Sequence, residues 1–197
     1  MRSLFYQLTI GILLCWQLPA LQAQSAWRIE PGKYIGKTLL GDTPDKISAR
    51  LGNADGGDAA MGKAWSLWYS RHKDNTIDSS RLLAIYFTRD EKDRMQAREI
   101  RINTPAFKTL AGIKVGSPLV NIKRAFPYVK KAAVYEDAVT GKRIELYDEV
   151  RRGITFELTQ QKTGSPVCTA ITVHESGKGI VDQYMAFPAY ENFKKIE

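Results

Sequence analysis

The sequence predicts an α+β fold of two tandem α-β-β-β repeats, an antiparallel sheet covered by short helices on one face. Three observations predict it: a helix-start pattern that occurs twice, three strand-like runs after each occurrence, and turn-forming clusters between the runs.

The first start is Gly41-Asp42-Thr43-Pro44, followed by Asp45 to Gly52; the second is Gly116-Ser117-Pro118, followed by Leu119 to Pro127. Each glycine precedes an isoleucine by six residues (Ile47, Ile122) and a large apolar residue by ten (Leu51, Phe126). That spacing places both on one helical face. Pro44 and Pro118 fall in the first turn, where a missing N–H costs nothing. Asp42 or Thr43 in one case, and Ser117 in the other, are suitable N-caps. Gly52 and Pro127 end the helices.

Strand-like runs follow the first helix at Ala64 to Ser70, Leu82 to Thr88 and Ala97 to Asn103. After the second they lie at Lys142 to Asp148, Gly153 to Thr159 and Cys168 to Glu175. Lys73-Asp74-Asn75 and Thr163-Gly164-Ser165-Pro166 are typical turn clusters between them. The last runs match in pattern, Glu99-Ile100-Arg101-Ile102 against Ala170-Ile171-Thr172-Val173. The expected repeats are residues 24–110 and residues 111–197, the latter including a C-terminal tail.

A short helix started by Gly-x-x-Pro or Gly-Ser-Pro, then three or four antiparallel strands, given twice, resembles the β-lactamase-inhibitor-protein fold. The small lipoprotein of the outer-membrane β-barrel assembly machine has a single related unit. The resemblance covers most of residues 33–175 and rests on short motifs. It implies helices on one sheet face, an open opposite face, and the binding of other proteins. The inhibitor's disulfides have no counterpart, so only the fold-level analogy is used.

Residues 1–23 read as a secretory signal. Arg2 supplies the positive start, Leu4 to Leu18 the apolar stretch, and Leu21-Gln22-Ala23 a small residue at the cleavage point. The alternative is an uncleaved anchor, but the run is short and carries Tyr6, Gln7 and Thr9. Cleavage after Ala23 leaves 174 residues and lowers the formal charge from +8 to +7. No later stretch is long and apolar enough to span a membrane, and a periplasmic or secreted location is expected. Cys168 is then the only cysteine, read as a small buried strand residue.

The alternation rule for a sheet covered on one face gives an inward set: Trp65, Leu67, Tyr69, Leu83, Ile85, Phe87, Ile100, Ile102, Ile144, Leu146, Ile154, Phe156, Leu158, Ile171 and Val173. The outward set is Trp68, Tyr86, Arg101, Arg143, Glu145, Tyr147, Glu157 and His174. Aromatic and arginine side chains on an open sheet are the residue types of binding hot spots. The apolar segment Asp58 to Trp65 reads as a loop or second short helix packed on the sheet edge.

Little points to catalysis. His72 and His174 have no partners at metal-ligand spacing, and no nucleophile elbow or phosphate loop is present. The acids Glu136, Asp137, Asp148 and Glu149 are scattered as in any domain of this size. No catalytic, cofactor-binding or metal-ligating residue is assigned. Basic clusters at Lys123, Arg124, Lys130 and Lys131, and at Lys142, Arg143, Arg151 and Arg152, suit an anionic envelope lipid or polysaccharide better than nucleic acid. The function expected from sequence is therefore non-catalytic binding of an envelope or extracellular protein through the outward face; the alternatives are binding of an anionic envelope lipid or polysaccharide through the basic clusters, and an enzyme whose site is assembled from residues far apart in sequence.

Overall fold

The computed structural model describes residues 26–161, 164–180, 187 and 190–197. The proposed signal, residues 1–23, lies outside them. Among the described residues thirteen strands and two helices follow one another. A small sheet begins with β1 (Arg28–Glu30), β2 (Tyr34–Ile35) and β3 (Thr38–Leu39). Helix α1 (Pro44–Leu51) leads into β4 (Gly56–Ala60), β5 (Lys63–Arg71), β6 (Ile77–Arg89) and β7 (Met95–Ile102). Then come β8 (Lys108–Thr109) and α2 (Leu119–Ala125). Strands β9 (Lys130–Asp137), β10 (Arg143–Glu149), β11 (Ile154–Thr159) and β12 (Val167–His174) follow, with β13 (Phe193–Lys195) near the end.

Local chemistry explains the helix boundaries. In α1, Thr43 Oγ1 accepts the Lys46 N–H, Pro44 sits at the first turn, and Gly52 ends the helix at φ +82°. In α2 the cap position falls to Pro118, without a side-chain cap. Ser117 Oγ instead accepts the Lys114 N–H at 3.0 Å and closes the turn before the helix. Ile47 and Ile122 are the buried anchors of their helices.

The strands form a four-stranded sheet, β3-β2-β1-β8, and a nine-stranded sheet, β13-β9-β10-β11-β12-β7-β6-β5-β4. In the large sheet every pairing is antiparallel, and β7 pairs with β12 at its centre. This corrects the expected fold class. The chain is mostly β, and two helices of eight and seven residues do not form a layer over the sheet. Each helix leads into four strands, not three, and one sheet runs through both halves of the chain. Seven of the strands described have no counterpart in the expected runs: β1, β2, β3 and β8 of the small sheet, and β4, β9 and β13 of the large one, with a plain physical reason for β4 and β9. Gly56-Gly57-Asp58-Ala59-Ala60 has no β-branched or aromatic residue, and Lys130-Lys131 masks the start of β9. The segment from Asp58 to Trp65 is a hairpin, turned at Met61 and Gly62, both with positive φ.

One face of the large sheet carries Ile85, Phe87, Ile100, Ile102, Phe156, Ile171 and Val173. Ile47 of α1, Ile122 and Phe126 beside α2, and Ile29 and Ile35 of the small sheet complete that core. Cys168 is buried in it, and its thiol, pushed up by burial, donates to the Ala170 carbonyl. The second face is covered too. Trp65, Leu67 and Tyr86 pack with Phe187 and Tyr190, and Tyr135, Ile144 and Leu146 pack with Tyr190 and Phe193. The expected open face is therefore closed by described residues of the C-terminal segment. Strand β13 also pairs with β9, placing Lys195 opposite Tyr135.

Register corrects the inward set as well. Trp65 stands opposite Tyr86, and Leu146 opposite Glu157, so both belong to the second face. Trp65, Leu67, Ile144 and Leu146 all lie in the second-face clusters, with Tyr69 packed against one of them.

Candidate functional site

The eight outward-set residues divide between the faces. Tyr86, Arg101, Glu157 and His174 are on the second face, all at or below 5% exposure. Trp68 is half-buried against the helix-side core, and its indole N–H donates to the Gly52 carbonyl at 3.1 Å. Tyr147 is in the helix-side core, with Lys123 Nζ 5.6 Å from its ring centroid. Glu145 stands opposite Leu158 and pairs with Lys131 at 3.1 Å. Arg143 is exposed and pairs with Glu136 at 2.5 Å. These eight residues make no single open patch.

What the second face does assemble is a buried polar band at the centre of the sheet. Alternation turns Glu99 and Arg101 of β7 away from Ile100 and Ile102, and His174 of β12 away from Val173. Pairing then sets Glu99 opposite His174, Arg101 opposite Thr172, and Thr155 opposite both Thr172 and Asp148.

The band has two parts. In the first, Arg101 Nη2 meets Glu157 Oε2 at 2.8 Å and donates to the Tyr190 hydroxyl at 2.6 Å. Tyr190 donates in turn to Glu157 at 3.0 Å, and Thr169 Oγ1 donates to Glu157 Oε1 at 2.9 Å. The guanidinium lies 4.6 Å from the Phe187 ring centroid and 5.3 Å from that of Tyr190. Hydrogen bonds and two aromatic faces replace the water that this ion pair has lost.

The second part is His174, Asp148, Thr155 and Glu99. His174 Nε2 lies 3.0 Å from Asp148 Oδ1, and Nδ1 lies 3.2 Å from the Glu175 carbonyl. Both ring nitrogens face acceptors. Thr155 Oγ1 donates to Asp148 Oδ1 at 3.1 Å, while Asp148 Oδ2 is buried without a partner. Glu99 is 5% exposed. Burial, and then the nearby charge of Asp148, pushes its carboxyl up to about 8.

Beside Glu99 and His174 opens a cavity of about 250 Å³, also lined by Thr88, Arg98, Glu175, Lys178 and Gly179. Arg98 and Lys178 both pair with Glu175, at 3.8 and 2.9 Å, so its rim holds two cations for one carboxylate. Gly153 fixes this end of β12. Its carbonyl accepts the His174 and Gly32 N–H groups, and at φ +69° a Cβ would overlap the His174 carbonyl oxygen. Two further openings lie elsewhere, about 400 Å³ beside Ser117 and Arg124, and about 380 Å³ between Tyr69, Phe187 and Tyr190. Among the described residues no group of three or more His, Cys, Asp or Glu is placed to hold a metal ion. Nor is any helix among them long and apolar enough to cross a membrane.

Glu99 and Asp148 were not among the sequence-predicted site residues. A signal for Glu99 existed, since it shares the alternation of Arg101 in Glu99-Ile100-Arg101-Ile102. Asp148 ends an expected strand and is drawn in only by the β10–β11 register.

No protein-family profile matches the chain, and no curated protein sequence matches it significantly. Among solved structures it is similar to one described as the uncharacterized protein yfeY from Escherichia coli. The two share 14% identity at a TM-score of 0.42, over 75% of this chain and 98% of that one. The likeness is too distant to bring a function with it.

Proposed function

We propose that the chain is an exported binding protein, without catalytic chemistry of its own, that takes a small zwitterion into the cavity at Glu99. Export rests on the charge, apolar run and small-residue order of residues 1–23. The observation that carries the binding reading is Glu99 itself, a carboxyl 5% exposed in the cavity wall and pushed up to about 8 by burial and then by the charge of Asp148. Burying a carboxyl in this way is costly, and such groups concentrate at functional sites.

The surroundings support the ligand class. An ammonium group in the cavity meets Glu99, and the unpartnered Asp148 Oδ2 lies close to Gly179 of the same wall. A carboxylate at the mouth meets Arg98 and Lys178, which share only Glu175. The volume is worth about eight waters at roughly 30 Å³ each, room for a small amino acid together with several waters. A protein partner on the second face would first have to displace Phe187, Tyr190 and Phe193. That obstacle favours the cavity over the face.

Calorimetric titration of the chain from Gln24 onward with glycine, L-alanine and L-serine tests the proposal, with ethylamine and acetate as half-ligands. The amino acids should bind at least tenfold more tightly than either half-ligand, and Glu99→Gln should abolish binding. Unchanged affinity in Glu99→Gln, no binding of any amino acid at millimolar concentration, or chemical conversion of the ligand would each overturn it.

A further inference from the structure

We infer that the corner formed by the end of α2, the turn at residues 126–130 and the turn at residues 149–153 is a docking surface for an anionic phospholipid membrane. The inference is independent of the cavity and rests on how the arginines are distributed. Of the twelve described arginines, nine pair with a carboxylate: Arg28, Arg50, Arg71, Arg81, Arg89, Arg94, Arg98, Arg101 and Arg143. The three that do not are Arg124, Arg151 and Arg152, and all three lie at this corner.

Lys123 and Lys130 add two further exposed cations. No Asp or Glu occurs between Leu119 and Tyr135, or between Val150 and Phe156. The adjoining Asp148 and Glu149 are buried at 4% and 1% exposure, and Glu175, brought near by the bond from the Gly177 N–H to the Val150 carbonyl, is already paired with Arg98 and Lys178. A fold that neutralises its arginines elsewhere leaves these five positive groups for something outside the chain.

Aromatic rings, not carboxylates, hold the cations in place. Arg152 lies 4.4 Å from the Phe126 ring centroid, Arg151 lies 4.8 Å from that of Tyr128, and Lys123 lies above Tyr147. Ring faces fix the direction of each side chain without cancelling its charge.

The apolar residues choose the occupant. Val120, one turn before Arg124 on α2, is 56% exposed; Tyr128 is 64% and Val150 38% exposed. A polysaccharide gives no return for exposed valines. A bilayer does, because apolar side chains and a phenol beside lysine and arginine sit well at the headgroup boundary. Anionic headgroups then meet the guanidinium and ammonium groups, an attraction that salt screens.

Co-sedimentation with vesicles of phosphatidylcholine and phosphatidylglycerol at 70:30 tests this, using the chain from Gln24 onward. Binding at low salt should fall at least tenfold on pure phosphatidylcholine vesicles and at least tenfold in 0.5 M NaCl. Arg124→Glu/Arg151→Glu/Arg152→Glu should abolish it, while Lys73→Glu/Lys92→Glu, outside the corner, should leave it unchanged. If the triple variant unfolds, Lys123→Glu/Lys130→Glu supplies the same test with two exposed residues. Tyr128→Ala should weaken vesicle binding several-fold and leave binding to dextran sulfate unchanged. Equal binding to both vesicle types, or retention by the charge-reversed variants, would overturn the inference. So would a Tyr128→Ala variant that binds vesicles as well as the parent, which would mark the corner as a general polyanion surface.

Discussion

Glu99 and His174 stand directly opposite each other across β7 and β12, with Asp148 Oδ1 3.0 Å from the imidazole Nε2. The three side chains thus share one buried stretch of sheet, where burial and then the charge of Asp148 raise the Glu99 carboxyl.

Stability should fall as pH rises from about 5 to about 9. Folding raises the Glu99 carboxyl from the ordinary 4.5 to about 8. Between those values the unfolded chain has lost a proton that the folded chain keeps. The contribution of Glu99 is therefore full below 4.5 and is lost as pH climbs through 8, a change on the order of several kcal/mol. Urea midpoints at pH 5, 7 and 9 should decline in the parent and stay flatter in Glu99→Gln. Parallel curves would mean that Glu99 is ionised in the folded state.

Ligand binding should expel a proton. At pH 7 the Glu99 carboxyl holds its proton, and an ammonium ligand favours the ionised form. Binding enthalpies measured in phosphate and in Tris should differ by up to one proton's ionisation heat at pH 7 and converge at pH 9. Affinity should rise between pH 6 and 8 for the same reason.

The Arg101–Glu157 pair should prove costly to break singly and cheaper to remove whole. Arg101→Met leaves Glu157 buried among Thr169 and Tyr190 without its cation, a loss of about 3–5 kcal/mol. Arg101→Met/Glu157→Leu should recover part of that loss. Chemical denaturation of the two single variants and the double variant measures the coupling; additive losses would contradict it.

Gly153→Ala should destabilise by about 1–3 kcal/mol, because left-handed backbone strain adds to an overlap with the His174 carbonyl. Thermal melting checks the loss. Gly112→Ala, where φ is also positive but no atom lies within 4 Å, should cost less.

The strands were legible where side chains announce them and illegible where a strand is defined by its neighbours. Val-, Ile- and Phe-rich β11 and β12 matched their expected runs, whereas the glycines of β4 carry no such mark. Period-two alternation sorted residues into two sets per strand, but not into which set faces which layer. That assignment needs one polar face, and here Phe187, Tyr190 and Phe193 make the second face apolar as well. Trp65 and Leu146 were misplaced for that reason, and Arg101, Glu157 and His174 were expected in water. The cavity was out of reach for a different reason: it joins residues of β6, β7 and β12 with the segment after β12, and only register brings these together.

The central pairing of β7 with β12 also sets when the molecule can be finished. Val173 and Ile100, joined in that pair, are separated by the whole second meander, and Ile29 of β1 waits similarly for Thr109 of β8. A chain emerging from the ribosome N-terminus first has its first four large-sheet strands early, with β7 paired to β6, but the other edge of β7 has no partner until His174 is out. Contacts of such long sequence separation make folding slow and delay it toward the end of synthesis. Through much of its synthesis the large sheet therefore stays half-built, with one edge of β7 unpaired.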